Sequence, residues 1–117
     1  MKQERIYHMK FKDLYPLYVL KAERKGKSSE EVDELLMWLT GYKIEDLNMI
    51  LASAIDVKTF FDESPAFNPS ASLIKGTICG IKVEDIQDPL MQKIRYLDKI
   101  IDELARGKSM DKIKRKI

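Results

Sequence analysis

Three sets of residues in this 117-residue chain are of types that can do chemistry. The first is a thiol with an imidazole. The chain has one cysteine, Cys79, and one histidine, His8. An imidazole beside a thiol makes a thiolate nucleophile, but these two are distant in sequence and only the fold could join them. Cys79 stands between Ile78 and Gly80, an apolar setting that suits a small buried residue with an inert thiol. One histidine and one cysteine cannot supply a Cys/His zinc set. Glu30 and Glu34 would share a helix face, where capping and solvation account for them without a metal. No acid spacing matches a calcium loop, and no cofactor is expected. Gly26-Lys27-Ser28 lacks the glycine-rich loop and strand of a phosphate site, and no G-x-S-x-G elbow occurs.

The second set lies in SPAFNPSASLIKG, residues 64–76. Irregular loops on a rigid scaffold are where binding usually resides. Phe67 can anchor such a loop, and Asn68, Ser70, Ser72 and Lys75 offer donors to a ligand or partner. The competing reading is that Asn68 and the serines satisfy their own turns and caps. Cys79 follows closely, so a pocket over 64–80 is the alternative reading in which the protein is an enzyme or binds a small ligand.

The third set is basic. Residues 1–27 carry eight Lys/Arg against three Asp/Glu, and residues 89–117 carry nine against four. Residues 28–63 carry two against nine, so basic ends flank an acidic middle. The segments can neutralise one another in the fold, or the two ends can share a face toward an anionic partner. Arg24, Lys25, Lys112, Lys114 and Arg115 are the candidate contacts. Nucleic acid fits the charge, although no helix has the Arg/Asn/Gln density of a base-reading surface. The leading expectation is thus a helical binding module without catalysis, with a homodimer as one form of partnership.

These residues need elements to hold them. Asp13 is placed to cap a helix over 14–25, with Pro16 in its third position and Gly26 at its end. Ser28 and Glu31 have capping-box spacing for a second helix, whose stripe is Val32, Leu35, Leu36 and Leu39 and whose end is Gly41. Met37 and Trp38 lie off that stripe and are expected to pack against a neighbour. A third helix is predicted over 44–54 and a short one over 56–63. Ser70 or Ser72 can cap a brief helix ending at Gly80, or 77–79 can be a short strand, for which 5–9 is the obvious partner. Asp88-Pro89 opens the last long helix, striped by Leu90, Ile94, Leu97, Ile101 and Leu104 and ended by Gly107. That stripe reads as core or a dimer seam. Ser109 starts a final short helix.

The sum is an all-α protein: one compact orthogonal bundle of five to seven helices in a single domain, 1–117, with room for one very short two-stranded pairing. The stretch GYKIEDL at 41–47 returns as GIKVEDI at 80–86, read as one helix-ending device used twice. The basic start MKQERIYHMKF has no apolar run behind it and does not read as a secretory signal. The longest mainly apolar stretch, 47–55, is too short to span a bilayer, so no membrane contact is expected. A lone cysteine suits a reducing compartment, and the cytoplasm is the expected location.

The runs YPLYVLKAERKG, WLTGY, SLIKG, CGIKVEDI and DPLMQKIRYLDK, with RIYHM at 5–9, carry a resemblance over nearly the full length. The chain resembles a bacterial family known as domain of unknown function 2200. The resemblance implies a small, soluble, all-helical orthogonal bundle. It implies no activity, ligand or catalytic residue.

Overall fold

Each helix here ends where a specific residue stops it, and those stops set the architecture. A computed structural model describes residues 2–117, with side chains from Arg5 onward. The described residues form seven α-helices: α1 Lys2–His8, α2 Phe11–Glu23, α3 Ser29–Thr40, α4 Ile44–Leu51, α5 Val57–Asp62, α6 Pro89–Ala105 and α7 Met110–Ile113. Two 3-10 turns, Pro69–Leu73 and Val83–Asp85, flank a hairpin of β1 Thr77–Ile78 and β2 Ile81–Lys82. The protein is all-α with one very short pairing.

α6 is the axis. It packs against α2, α3, α5 and α7, with α2 its most extensive neighbour. Met91, Ile94, Leu97, Ile100, Ile101 and Leu104 are all buried, so the apolar stripe of α6 is covered within the chain itself. Each such side chain contributes about 1.5–3 kcal/mol of burial. Beside it, aromatic rings run through the core. Phe11 stacks on Phe60 with centroids 3.8 Å apart, Phe60 meets Phe61 edge-on, and Phe61 meets Phe67. Met37 and Trp38 pack against this core as expected.

Several local expectations are corrected. α2 begins at Phe11 and not after Asp13, because Met9 and Lys10 are held by α5's approach. Phe11 N–H donates to the Ile55 carbonyl at 2.9 Å, and Val57 N–H to the Met9 carbonyl at 2.8 Å. Asp13 then sits in the first turn, where the helix dipole favours an acid. Pro16 lies inside the helix, and its missing N–H leaves the Lys12 carbonyl without its usual donor. Neither Ser70 nor Ser72 caps the turn after the loop: Asn68 does, its side-chain oxygen accepting from Ser70 N–H at 2.8 Å. Residues 5–8 belong to α1, so they do not pair with β1. β1 pairs with β2, Thr77 opposite Lys82 and Ile78 opposite Ile81. Cys79 and Gly80 form the two-residue turn between them, both with positive φ (53° and 78°). Two successive left-handed residues match the twist of a hairpin and make a local partner cheaper than a distant one.

The capping expectations for α3 and α6 hold. Ser28 Oγ accepts from Glu31 N–H at 3.2 Å and Glu31 accepts from Ser28 N–H at 3.0 Å. Asp88 accepts from Leu90 N–H at 3.0 Å, with Pro89 as the first helical residue.

Candidate functional site

The loop 64–72 turns out to be the cap of another helix. α3 ends in carbonyls that need donors, and the loop supplies three. Ala66 N–H donates to the Thr40 carbonyl at 3.1 Å, Asn68 N–H to Leu39 at 2.8 Å, and Asn68 Nδ2 to Trp38 at 3.1 Å. Ser72 Oγ donates to the Pro69 carbonyl at 3.1 Å. Ser70 is buried, and its Oγ accepts from Ile117 N–H at 3.3 Å, tying the C-terminus to the loop. Phe67 packs between Phe61 and Tyr96, with the Lys93 ammonium 5.0 Å over its ring. Lys75 is exposed, and its charge is felt at Glu84. Asn68, Ser70 and Ser72, which singled the loop out, are therefore engaged in bonds within the chain.

Cys79 is exposed, not buried, because the hairpin turn carries it outward. Arg95 Nη1 stands 3.9 Å from its sulfur and 2.9 Å from Asp98 Oδ2. Tyr18 OH donates to Asp98 Oδ1 at 2.5 Å. Burial first, and then the Asp98 charge, push the Tyr18 hydroxyl well above its ordinary pKa. His8 ends α1, which packs on α5, and its charge is felt at Asp56. The structure thus places the thiol against α6 and the imidazole at the α5 side. Among the described residues no group of three or more His, Cys, Asp or Glu could hold a metal ion. Glu34 is instead paired with Lys114.

The basic segments do come together. α2 and α6 pack side by side, and both end at the same edge of the molecule. Lys21, Arg24, Lys25, Asp102, Ala105 and Arg106 line a cleft of about 390 Å³ there, so four cations face one carboxylate. Asp102 holds two of them: Lys21 Nζ at 3.1 Å and Arg106 Nε at 2.8 Å. Burial opposes the ionisation of Asp102, but the bonds and charges of Lys21 and Arg106 prevail and hold its carboxyl below the usual range. Arg24 and Lys25 are exposed and form no side-chain hydrogen bond or ion pair among the described residues. Their place just beyond the last turn of α2 suits the negative end of its dipole, yet leaves both charged groups turned to solvent. On the same helix Leu17 and Leu20 are also exposed.

The C-terminal cations behave differently. Arg115 makes a two-pronged pair with Glu103, at 2.6 and 2.7 Å, and Lys114 pairs with Glu34. These bonds fasten the tail onto α6 and α3, so Lys114 and Arg115 are half-buried and already engaged by acids of the chain itself. Lys112 is exposed. Sequence reasoning reached Arg24 and Lys25 but missed Lys21 and Arg106. The available signal was local: Asp102 and Arg106 have i,i+4 spacing, and Lys21, Arg24 and Lys25 share a helix face outside the apolar stripe.

No curated protein sequence matches the chain. Among solved structures, the crystal structure of uncharacterized protein SP1917 is similar: 41% identity, a TM-score of 0.90, and 94% of this chain covered against 90% of that one. Residues 5–115 match the family model described as an uncharacterized protein conserved in bacteria, and the chain belongs to that bacterial family, DUF2200.

Proposed function

We propose that the protein is a cytoplasmic binding module, without catalysis of its own, that meets an anionic partner at the cleft between the ends of α2 and α6. The supporting observation is the pair Arg24 and Lys25, unpartnered and exposed beside Lys21 and Arg106 on one edge. A partner that presents phosphates on an open surface would gain contacts from all four cations while Asp102 keeps two of them in place. Exposed Leu17 and Leu20 add apolar area next to the charges. The lone, unpaired cysteine agrees with a reducing compartment, and no helix among the described residues is long and apolar enough to cross a membrane.

Fluorescence anisotropy with a short labelled DNA duplex and a labelled single-stranded RNA tests this. Binding at low salt is expected to weaken with a log–log slope of about −2 to −4, as two to four phosphate contacts release counterions. Arg24→Glu with Lys25→Glu abolishes it without changing the fold, since both side chains are exposed and make no hydrogen bond or ion pair among the described residues. Absence of binding at low salt, or binding indifferent to that double substitution, rejects the cleft. A second reading places ligand or thiol chemistry at Cys79, favoured by its exposure and by the Arg95 guanidinium 3.9 Å away. Native Cys79 that reacts with a thiol reagent no faster at neutral pH than in denaturant removes that reading.

A further inference from the structure

On the acidic part of the chain lies a second surface of opposite character. The turn after α3, the body of α4 and the end of α5 enclose a groove of about 320 Å³. Its apolar lining is Tyr42, Met49, Ile50, Ile55 and Pro65, and its rim carries Asp46 and Glu63. Among the described residues no lysine or arginine lines it. Met49 is 72% exposed, and its flexible thioether can adapt to different shapes.

Glu63 is the telling residue. It stands at the C-terminal end of α5, where the helix dipole disfavours an anion. Its carboxylate has no hydrogen bond or ion pair among the described residues. Asp46, by contrast, accepts from Lys43 N–H at 3.0 Å and so has a local use. The rim's charge is felt inside the groove: burial first, and then Glu63 and Asp46, push the Tyr42 hydroxyl up to about 12. An acid that opposes its own helix and lacks a partner, beside an uncovered methionine, is a local inconsistency of the kind expected at a working surface.

We propose that this groove docks a basic polypeptide segment of a partner protein, in which lysine or arginine flanks an apolar side chain. The apolar side chain would sit on Met49, Ile50 and Ile55, and the flanking cations would meet Glu63 and Asp46. Charge complementarity selects the occupant: two carboxylates with no lining cation among the described residues repel an acidic segment and attract a basic one. This proposal is independent of the basic cleft, which lies on α2 and α6.

The test titrates the full-length protein, labelled with nitrogen-15, with a short synthetic peptide alternating lysine and leucine and with its glutamate–leucine counterpart. The expected result is saturable one-to-one binding of the lysine peptide only, with amide shifts centred on Met49, Ile50 and Ile55. Glu63→Lys is expected to weaken it about tenfold, the loss of one charge contact and its replacement by repulsion. Met49→Ser weakens it without altering charge. No binding at millimolar peptide overturns the proposal, as do shifts centred elsewhere or affinity unchanged in both variants. Light scattering that shows a dimer dissolved by Glu63→Lys also overturns it, because the occupant is then a second copy of this chain.

Discussion

GYKIEDL and GIKVEDI share four of seven letters and their apolar pattern, yet their burial is opposite. In the first copy Tyr42 and Leu47 are buried and Ile44 is 39% exposed. In the second Ile81 is 41% exposed and Val83 is fully buried. The first copy leaves one helix and enters another, and Tyr42, between the two, packs into the core. The second leaves a hairpin turn through a two-residue strand, Ile81–Lys82, whose residues are both exposed, and buries its next apolar residue, Val83, in the 3-10 turn that follows. The acids diverge as well. Asp46 turns back to the Lys43 amide 3.0 Å away, whereas Glu84 reaches across the hairpin to the Gly76 amide at 3.0 Å. What differs is upstream: twelve helical residues precede Gly41, while a left-handed cysteine precedes Gly80. Short similar sequences thus take their structure from what arrives before them.

The two glycines give the widest separation. Both are left-handed, with φ of 81° at Gly41 and 78° at Gly80. A Cβ on Gly80 meets nothing within 4 Å, but on Gly41 it would lie 2.9 Å from the backbone nitrogen of Ala66. Gly80→Ala therefore carries the left-handed penalty alone, about 1 kcal/mol. Gly41→Ala adds displacement of the loop that caps α3, for a total of about 3–4 kcal/mol. Urea denaturation measures both. Equal losses would mean that the loop moves aside freely and is not the cap of α3.

The first copy also shows which parts of the fold were legible. Capping and stop residues are local, so Ser28, Glu31, Gly41, Asp88 and Pro89 could be read directly. The long stripe of α6 was equally clear. The loop 64–72 was not, because its polar residues answer carbonyls on α3, some thirty positions earlier in the case of Asn68 and Trp38. The same limit hid the place of Arg106 in the basic cleft. Charge asymmetry pointed to Arg24 and Lys25, but only the pairing of α2 with α6 brings Arg106 beside them. It also hid the engagement of Lys114 and Arg115 by acids on α3 and α6. Cys79 was misjudged because its neighbours Ile78 and Gly80 imitate a buried helix end, when Cys79-Gly80 is in fact a turn.

A smaller contrast comes from the second position of each copy. The Tyr42 hydroxyl donates to the Phe60 carbonyl at 2.7 Å in the buried interior. Tyr42→Phe leaves that carbonyl unpaired and costs about 1–3 kcal/mol. Ile81→Ser alters an exposed side chain and shifts stability by no more than about 0.5 kcal/mol. A thermal melt of both variants checks this. A larger loss at Ile81 than at Tyr42 would place the hairpin, and not the α3–α4 corner, at the centre of the cooperative unit.

The smallest effect is one of pH and belongs to the second copy. The Gly76 amide, more than any other group, holds the Glu84 carboxyl below its ordinary pKa. A depressed folded-state value means that the bond contributes fully above the unfolded pKa and is lost as pH falls through the folded one. The Gly76 amide resonance should therefore titrate at a pH below the usual glutamate range. Glu84→Gln should remove that step while leaving the Lys43 amide, at the equivalent corner of the first copy, unmoved. Because Glu84 is exposed, acidification should loosen the approach of residues 76 and 84 without unfolding the bundle. A Gly76 resonance that moves only together with the global acid transition would show that this bond has no separate titration and that the hairpin and the helices open as one.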